Sequence, residues 1–157
     1  MLVLGIDPGL NGGLAIVASS PSGLRLVEAI DVPTHGENAK RRVHVAAALD
    51  FIQRHGPERA VIERAQAMPD QGASSGFIYG RAVGALEACA EGFGVRLIVI
   101  EASAWKKYHR LPGGNASKEA SRQRAIMTFP GARCFDRKKD HNRAEAALIA
   151  VYGACLD

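Results

Sequence analysis

Short apolar runs open the chain and predict the strands of a sheet. Residues 2–6 and 14–18 are apolar and are separated by a glycine-rich turn, which predicts a β-hairpin. A second turn at residues 19–23 precedes an apolar pattern over residues 24–32, which ends at Pro33. The chain is therefore expected to begin with a three-stranded antiparallel meander.

The rest of the pattern alternates between helical periodicity and short buried strands. Apolar residues recur at helical spacing over residues 38–55, and the runs at 60–63 and 95–100 predict two further strands. Further helices are predicted over residues 77–90, 102–108, 117–129 and 140–156. A meander followed by alternating helices and strands predicts an α/β fold with a five-stranded mixed sheet flanked by helices.

The composition is that of an ordinary globular protein. A length of 157 residues provides for one core and is short for two, so residues 1–157 are expected to form a single domain. The net charge of +4 favours a polyanionic partner only weakly, since many enzymes share it. Cys89, Cys134 and Cys155 form no CxxC pair, which argues against a disulfide framework or a structural zinc. No signal peptide or membrane span is predicted, and a cytoplasmic location is expected.

Two of the predicted strands end on acidic residues. Asp7 closes the first strand directly before Pro8, and Glu63 closes the strand at residues 60–63. Ligands bind at strand ends in open sheets, so the two carboxylates could meet if their strands are neighbours. The alternative for Asp7 is turn chemistry, and the alternative for Glu63 is an ion pair with Arg64.

A third group of acids lies at the start of the last predicted helix. His141 and Glu145 share a helical face, and Asp140 stands where it could reach the same site. An N-cap for Asp140 and a surface ion pair for Glu145 are the alternatives, which the residues leave open. Carboxylates that converge repel one another unless a divalent cation neutralises them, and oxygen ligands suit Mg²⁺ or Mn²⁺. Two such ions about 3.5–4 Å apart can hydrolyse a phosphodiester.

Three motifs together resemble the RuvC-type Holliday-junction resolvases of the RNase H-like nuclease superfamily. They are Leu4-Gly5-Ile6-Asp7-Pro8-Gly9, Val61-Ile62-Glu63 and the segment at residues 140–150, and their order and separation match over nearly the whole chain. The five-residue separation of Asp140 and Glu145 resembles the phage and chloroplast branch more than the bacterial enzymes.

The resemblance implies an RNase H-like fold and a structure-selective endonuclease that cuts branched DNA. Its acidic tetrad would be Asp7, Glu63, Asp140 and Glu145, holding two Mg²⁺ ions, with His141 as second choice for the fourth ligand. Members of the family are homodimers that grip a four-way junction and nick two opposed strands symmetrically. The resemblance therefore implies that this chain forms a homodimer that acts on Holliday junctions.

Basic residues interleaved with aromatic ones suit contacts with phosphates. The candidate DNA contacts are Lys106, Lys107, Arg110, Lys118, Arg122, Lys138 and Lys139. In similar resolvases a lysine near the segment that corresponds to Ser117-Lys118 approaches the scissile phosphate, so Lys118 is also assigned a catalytic role. For the basic residues around Trp105, the alternative is a solvated helix face with Trp105 in the core. For Lys138 and Lys139, the alternative is a solvated charge run.

Two further hypotheses concern the loop after Glu63 and the helix that follows it. Met68 is proposed to wedge between bases at the junction centre, although it could simply pack locally. The helix at residues 77–90 is a candidate dimer interface, with burial inside its own subunit as the alternative. The competing functions are an RNase H-like nuclease that cuts flaps or RNA, and a junction-binding module without catalysis, which would need no metal.

Overall fold

The computed structural model describes residues 1–66, 72–113 and 116–156. Its strands are β1 (Leu2–Asp7), β2 (Gly13–Ser20), β3 (Gly23–Asp31), β4 (Thr34–His35), β5 (Arg42–Val43), β6 (Arg59–Glu63) and β7 (Arg96–Ile100). Its α-helices are α1 (Val45–His55), α2 (Ala73–Gly92), α3 (Ala102–Tyr108), α4 (Ser117–Thr128) and α5 (His141–Ala154). Short 3-10 helices cover Asn38–Lys40, Arg133–Phe135 and Lys138–Asp140.

The main sheet has five strands in the order β3-β2-β1-β6-β7. The meander β1-β2-β3 is antiparallel, whereas β6 is parallel to both β1 and β7. The α/β class and the five-stranded mixed sheet predicted from the sequence are therefore confirmed. None of the helices in the described ranges has the length and apolarity needed to cross a membrane.

Helices cover both faces of this sheet. On one face, Leu4, Ile6 and Ile62 pack in a core shared with α1 and α2. On the other face, Val3 and Val61 pack in a core shared with α3, α4 and α5. Because side chains alternate along a strand, the acids that follow in β1 and β6 point to the face covered by α5.

The segment before α1 is the clearest departure from the sequence prediction. The predicted helix over residues 38–55 is wrong for residues 38–44, because α1 begins only at Val45. Instead, β4 pairs with β5 as a short antiparallel ladder, and the Nδ1 atom of His44 accepts the N–H of Ala47 to cap the helix. The charged stretch at residues 37–42 has no apolar face to bury, so a helix there would gain little from packing.

Helix α5 lies unusually close to the sheet because small residues meet on both sides. A Cβ atom added at Gly5 of β1 would lie 2.0 Å from the carbonyl oxygen of Ala146, and one added at Gly13 of β2 would lie 2.4 Å from that of Asn142. Ala146 and Ala150 of α5 are fully buried. The approach leaves no room for side chains at these glycines, and it fixes the start of α5 over the carboxyl end of β1.

Candidate active site

The strand acids lie side by side at one edge of the sheet. Ile6 of β1 pairs with Ile62 of β6 in parallel register, so Asp7 and Glu63 follow at the same level of adjacent strands. Neighbouring strands are about 4.8 Å apart. From the sequence, these acids are expected to meet only if their strands are neighbours; that condition is met, and the two acids share the face covered by α5.

Helix α5 brings Glu145 to the same place. Asp7 pairs with Gly13 across β1 and β2, and Gly13 lies against the backbone of Asn142 in the first turn of α5. Glu145 follows three residues later, beside the Ala146 that contacts Gly5. Residues distant in sequence are therefore brought together by one strand pairing and one close helix approach.

The electrostatics of Asp7 show that the acids interact. Burial raises the pKa of Asp7 well above its ordinary value, and repulsion by Glu145 and Glu63 raises it further. Lys106 and Lys118 oppose this rise. Several carboxylates that disfavour one another's ionisation form a site that an added positive charge would stabilise.

Glu145 behaves in the same way. Burial raises the pKa of Glu145, Glu63 adds to the rise, and a hydrogen bond from Ser121 together with the charge of Lys106 counteracts it. The Oγ atom of Ser121 donates to Oε1 of Glu145 over 3.0 Å. This carboxylate is therefore held by a buried hydroxyl rather than by a surface ion pair, which was the alternative considered for Glu145.

Glu63 is held by a tryptophan. The Nε1–H of Trp105 donates to Oε2 of Glu63 over 2.7 Å, and Trp105 is fully buried. The expectation that Trp105 belongs to the core is confirmed. Arg64, the ion-pair partner considered for Glu63, pairs with Glu101 instead.

These hydrogen bonds turn the acids towards protein donors. Within residues 1–66, 72–113 and 116–156, no three His, Cys, Asp or Glu side chains are arranged so that they could enclose a metal ion as they stand. Glu63 and Glu145 each have one oxygen engaged by a donor. Their second oxygens and the carboxylate of Asp7 supply hard donors of the kind that bind Mg²⁺.

A pocket of about 700 Å³ opens onto this group of acids. Its walls combine the turn after β1, the first turn of α5 and two lysines. The lining includes Asp7, Asn11, Asp31, Arg41, Tyr79, Lys118, Lys139, His141, Asn142 and Glu145. The pocket therefore combines the half-buried carboxylates of Asp7 and Glu145 with exposed lysines, and Glu63 is not among its lining residues.

The structure does not bring Asp140 to this pocket. Its carboxylate is 2% exposed and accepts from the backbone N–H of Arg137 and from the guanidinium of Arg137 at 2.7 Å. Burial alone would raise the pKa of Asp140, but the hydrogen bonds from Arg137 outweigh it and lower the pKa. Asp140 belongs to a 3-10 turn that directs its side chain into an ion pair with Arg137, and its place in the tetrad stays a prediction.

His141, the second choice for the fourth ligand, lines the pocket together with Asp7 and Glu145. Its Nδ1 atom lies 3.1 Å from the carbonyl oxygen of Lys138, which can only accept, so Nδ1 donates. The other ring nitrogen of the neutral imidazole is then an acceptor that can bind a metal.

The predicted DNA contacts divide into three groups. Lys118 and Lys139 line the pocket, and Lys106 acts electrostatically on both Asp7 and Glu145. Arg122 is engaged elsewhere, since its guanidinium donates to both carboxylate oxygens of Glu119 and to the carbonyl oxygen of Phe135. The remaining basic candidates, Lys107, Arg110 and Lys138, are exposed but are not among the residues that line the pocket. Met68 lies outside the described residues.

Two residues at the pocket had no place in the sequence interpretation. The guanidinium of Arg41 donates to Oδ1 of Asn11 and to the carbonyl oxygen of Leu10, and so holds the turn that follows Asp7. Tyr79 lines the pocket, and burial and the charge of Glu63 raise the pKa of its phenol. Arg41 lies in the segment wrongly predicted as helix, and Tyr79 lies in the helix at residues 77–90, which the sequence indicated only as a candidate dimer interface and not as part of the site.

The candidate dimer interface on α2 is partly buried within its own subunit. Val83 and Leu86 of α2 are at most 5% exposed and pack in the core of their own subunit. Phe77 in the first turns of α2 is 70% exposed. The buried-helix alternative is thus correct for Val83 and Leu86, while the exposed side of α2 is still available to a partner.

No family model and no curated protein sequence matches the chain. Solved structures do match over nearly its whole length. The chain is similar to Thermus thermophilus RuvC in complex with a Holliday junction substrate, with a TM-score of 0.74, 24% identity, and coverage of 98% of this chain and 93% of that chain. A second structure of Thermus thermophilus RuvC gives a TM-score of 0.71, 27% identity and the same 98% and 93% coverage.

More distant resolvases share the fold. The fowlpox virus Holliday junction resolvase matches with a TM-score of 0.63 and 12% identity, and 96% of each chain is covered. The yeast mitochondrial Holliday junction resolvase Ydc2 matches with a TM-score of 0.57 and 13% identity over 96% of this chain and 77% of that one.

The molecule has the RNase H-like α/β fold of the Holliday junction resolvases. Within that class, the similarity to the two Thermus thermophilus RuvC structures confirms the resemblance to RuvC-type resolvases predicted from the sequence. The assignment to the phage and chloroplast branch stays a prediction.

Proposed function

We propose that this chain is a structure-selective endonuclease that resolves four-way DNA junctions by Mg²⁺-dependent phosphodiester hydrolysis. The observation that carries the proposal is the convergence of Asp7, Glu63 and Glu145 from β1, β6 and α5 beside basic residues. The convergence occurs in a fold shared with a RuvC whose structure contains a Holliday junction substrate.

The chemistry of the donor set suits divalent cations. Asp7, Glu63 and Glu145 provide oxygen ligands, and His141 is the fourth ligand that we now prefer over Asp140. The mutual repulsion that raises the pKa of Asp7 supports this assignment, since bound positive charge would relieve it. When bound, two Mg²⁺ ions would activate water as the nucleophile and stabilise the leaving oxygen, and Mn²⁺ would serve similarly.

The lysines would handle the phosphates. Lys118 stands in the pocket lining and its charge reaches Asp7, so it is placed to contact a phosphate held against the acids. Lys106 and Lys139 would add positive charge around the same point. An anionic backbone entering the pocket therefore meets cations at the rim before it meets the carboxylates.

Two opposed cuts in one junction require two active sites, so the proposed active species is a homodimer. Phe77, exposed on α2 two residues before the pocket-lining Tyr79, is an apolar side chain that a second copy could cover. A C2 dimer would present two identical pockets to the two opposed strands of a symmetric junction.

The function is tested by cleavage of a synthetic four-way junction with and without Mg²⁺. The same assay includes a flap and an RNA–DNA hybrid at equal salt, because phosphate-driven binding varies with salt. We expect paired, symmetric nicks in the junction only, and Asp7→Asn is expected to abolish them while junction binding is retained. Asp50→Asn is the matched control, since Asp50 is an exposed acid on α1.

Each alternative predicts its own result in this assay. Preferential cutting of the flap or the hybrid would transfer the assignment to an RNase H-like nuclease with another substrate. Junction binding without cutting in any metal would identify a non-catalytic binding module. Cutting that persists in Asp7→Asn would refute the assignment of the site.

The choice of fourth ligand is tested separately. We expect His141→Ala to raise the Mg²⁺ concentration needed for half-maximal cleavage about 10-fold or more, as removal of a ligand should. Asp140→Asn should lower the melting temperature without moving that midpoint, because the carboxylate serves Arg137. A midpoint shift in Asp140→Asn alone would restore the original assignment.

A further inference from the structure

The chain contains a single tryptophan, and its one polar atom is directed at a site acid. Trp105 is fully buried, and its indole N–H donates to Oε2 of Glu63 over 2.7 Å. An indole has no other hydrogen-bonding group. A bond to a carboxylate is charge-assisted and stronger than a bond between neutral groups.

The indole is enclosed by the fold. Glu63 pairs with Ile100 at the end of β7, and α3 begins two residues later, which places Trp105 one turn into the helix. Lys106 lies over the indole ring, with its Nζ atom 5.2 Å from the ring centroid. His109, one turn further on, is anchored to the carbonyl oxygen of Leu148 in α5 over 2.8 Å.

We propose that Trp105 is a positioning residue, whose indole N–H orients the carboxylate of Glu63 for divalent-cation binding. This inference rests on the proposed function. With Oε2 accepting from the indole, Oε1 is the oxygen left for a ligand, and the hydrogen bond favours the rotamer of Glu63 that makes it. Partners that orient a ligand in this way typically contribute 10–100-fold to metal affinity.

The same ring also restrains Lys106, whose ammonium acts on Asp7 and Glu145. The indole of Trp105 thus contacts Glu63 through its N–H group and Lys106 through the face of its ring. The core interpretation of Trp105 explains its burial but predicts no dependence of metal binding on the N–H group.

The first test uses the fluorescence of the full-length protein. Since Trp105 is the only tryptophan, the tryptophan emission comes from this one indole and responds to changes around it, including changes at Glu63. We expect Glu63→Gln to shift the emission of the metal-free protein, and Mg²⁺ titration of the wild type to change the emission in a saturable way. Asp50→Asn should behave like the wild type in both measurements. Emission unaffected by Glu63→Gln would overturn the proposal.

The second test removes the N–H group and preserves the shape. Replacing Trp105 with benzothienylalanine exchanges the ring N–H for sulfur at this single position. We expect the Mg²⁺ concentration at the midpoint of the metal-dependent rise in melting temperature to increase at least about 10-fold. Phe135→Leu is the control for a simple core defect, because Phe135 is equally buried in the same cluster. It should lower the melting temperature and leave the midpoint unchanged.

The possible results separate this proposal from the proposed function. An unchanged Mg²⁺ midpoint in the benzothienylalanine protein overturns the role of Trp105, even if the wild type cuts the junction normally. A wild type that binds Mg²⁺ with the expected dependence on Trp105 but cuts no junction supports the positioning role and counts against the proposed substrate. A wild type without any response to Mg²⁺ overturns both.

Discussion

The substitution Asp7→Asn should make the metal-free protein more stable while removing its activity. Asp7 lies beside Glu63 on the neighbouring strand and beneath Glu145 of α5, and burial and both charges raise its pKa. Asparagine has nearly the same shape as aspartate and carries no charge. The substitution therefore removes repulsion without creating a cavity.

The size of the effect follows from the spacing of the strands. Adjacent strands are about 4.8 Å apart, and the longer glutamate side chains place the charges roughly 6 Å from that of Asp7. At an effective dielectric constant of about 20, such a pair repels by roughly 3 kcal/mol. Partial protonation of Asp7 and the two nearby lysines relieve part of this repulsion. A gain of about 1–2 kcal/mol, or roughly 2–8 °C in melting temperature, is expected for Asp7→Asn.

The assay is thermal unfolding in EDTA and in Mg²⁺. In EDTA at neutral pH the Asn variant should melt above the wild type, whereas Mg²⁺ should raise the melting temperature of the wild type and have little effect on the variant. Because the folded-state pKa of Asp7 is raised, its protonated form stabilises the fold. The difference between the two proteins should therefore shrink as the pH falls from 7 towards 4.

Two results would refute this reasoning. An Asn variant that melts at or below the wild type in EDTA would show that the acids do not repel one another. Equal stabilisation of both proteins by Mg²⁺ would show that the ion binds without Asp7. Asp50→Asn serves as the control for the loss of an acid outside the site.

Three other substitutions test the frame around the site. Gly5→Ala should lower the free energy of unfolding by at least about 3 kcal/mol or prevent folding, because its Cβ would lie 2.0 Å from a carbonyl oxygen of α5. The control is Gly76→Ala, in open space on α2, which should be neutral or stabilising by up to about 1 kcal/mol in the same thermal melts. Burial lowers the pKa of His109, so stability should fall as the pH drops below about 6.5, where the unfolded chain takes up the proton; a His109→Gln protein whose melting temperature declines as steeply over pH 8 to 5 would contradict this. Arg41→Ala should reduce the cleavage rate about 10-fold with junction binding retained, by loosening the turn after Asp7, and the exposed Arg42→Ala should cut normally.

The strand acids could be predicted because the information is local. An apolar run that ends on an acid before a turn defines both the strand and the position of its last side chain, and parallel pairing of β1 with β6 then brings Asp7 and Glu63 together. The meander and both later strands were predictable for the same reason. The match of the three motifs to a known family supplied the relation between them.

The contacts that the sequence did not predict join residues far apart along the chain or depend on a single backbone turn. A 3-10 turn instead of an α-helical one decides that Asp140 meets Arg137 rather than the pocket, and no periodicity distinguishes these two conformations at a helix start. Arg41 was missed because its partners lie about thirty residues upstream, in the turn after Asp7. Trp105 was recognised as a core residue, but its bond to Glu63 spans forty-two positions.

The glycine contacts of α5 also determine which parts of the site can change. With backbone against backbone at Gly5 and Gly13, the helix cannot slide or rotate without a clash, so the position of Glu145 relative to Asp7 is locked. Variation in substrate choice, whether in nature or by engineering, should then come from pocket residues outside α5, such as Lys118 and Arg41. Libraries aimed at altered substrate preference should diversify these residues and leave the alanine-lined helix untouched.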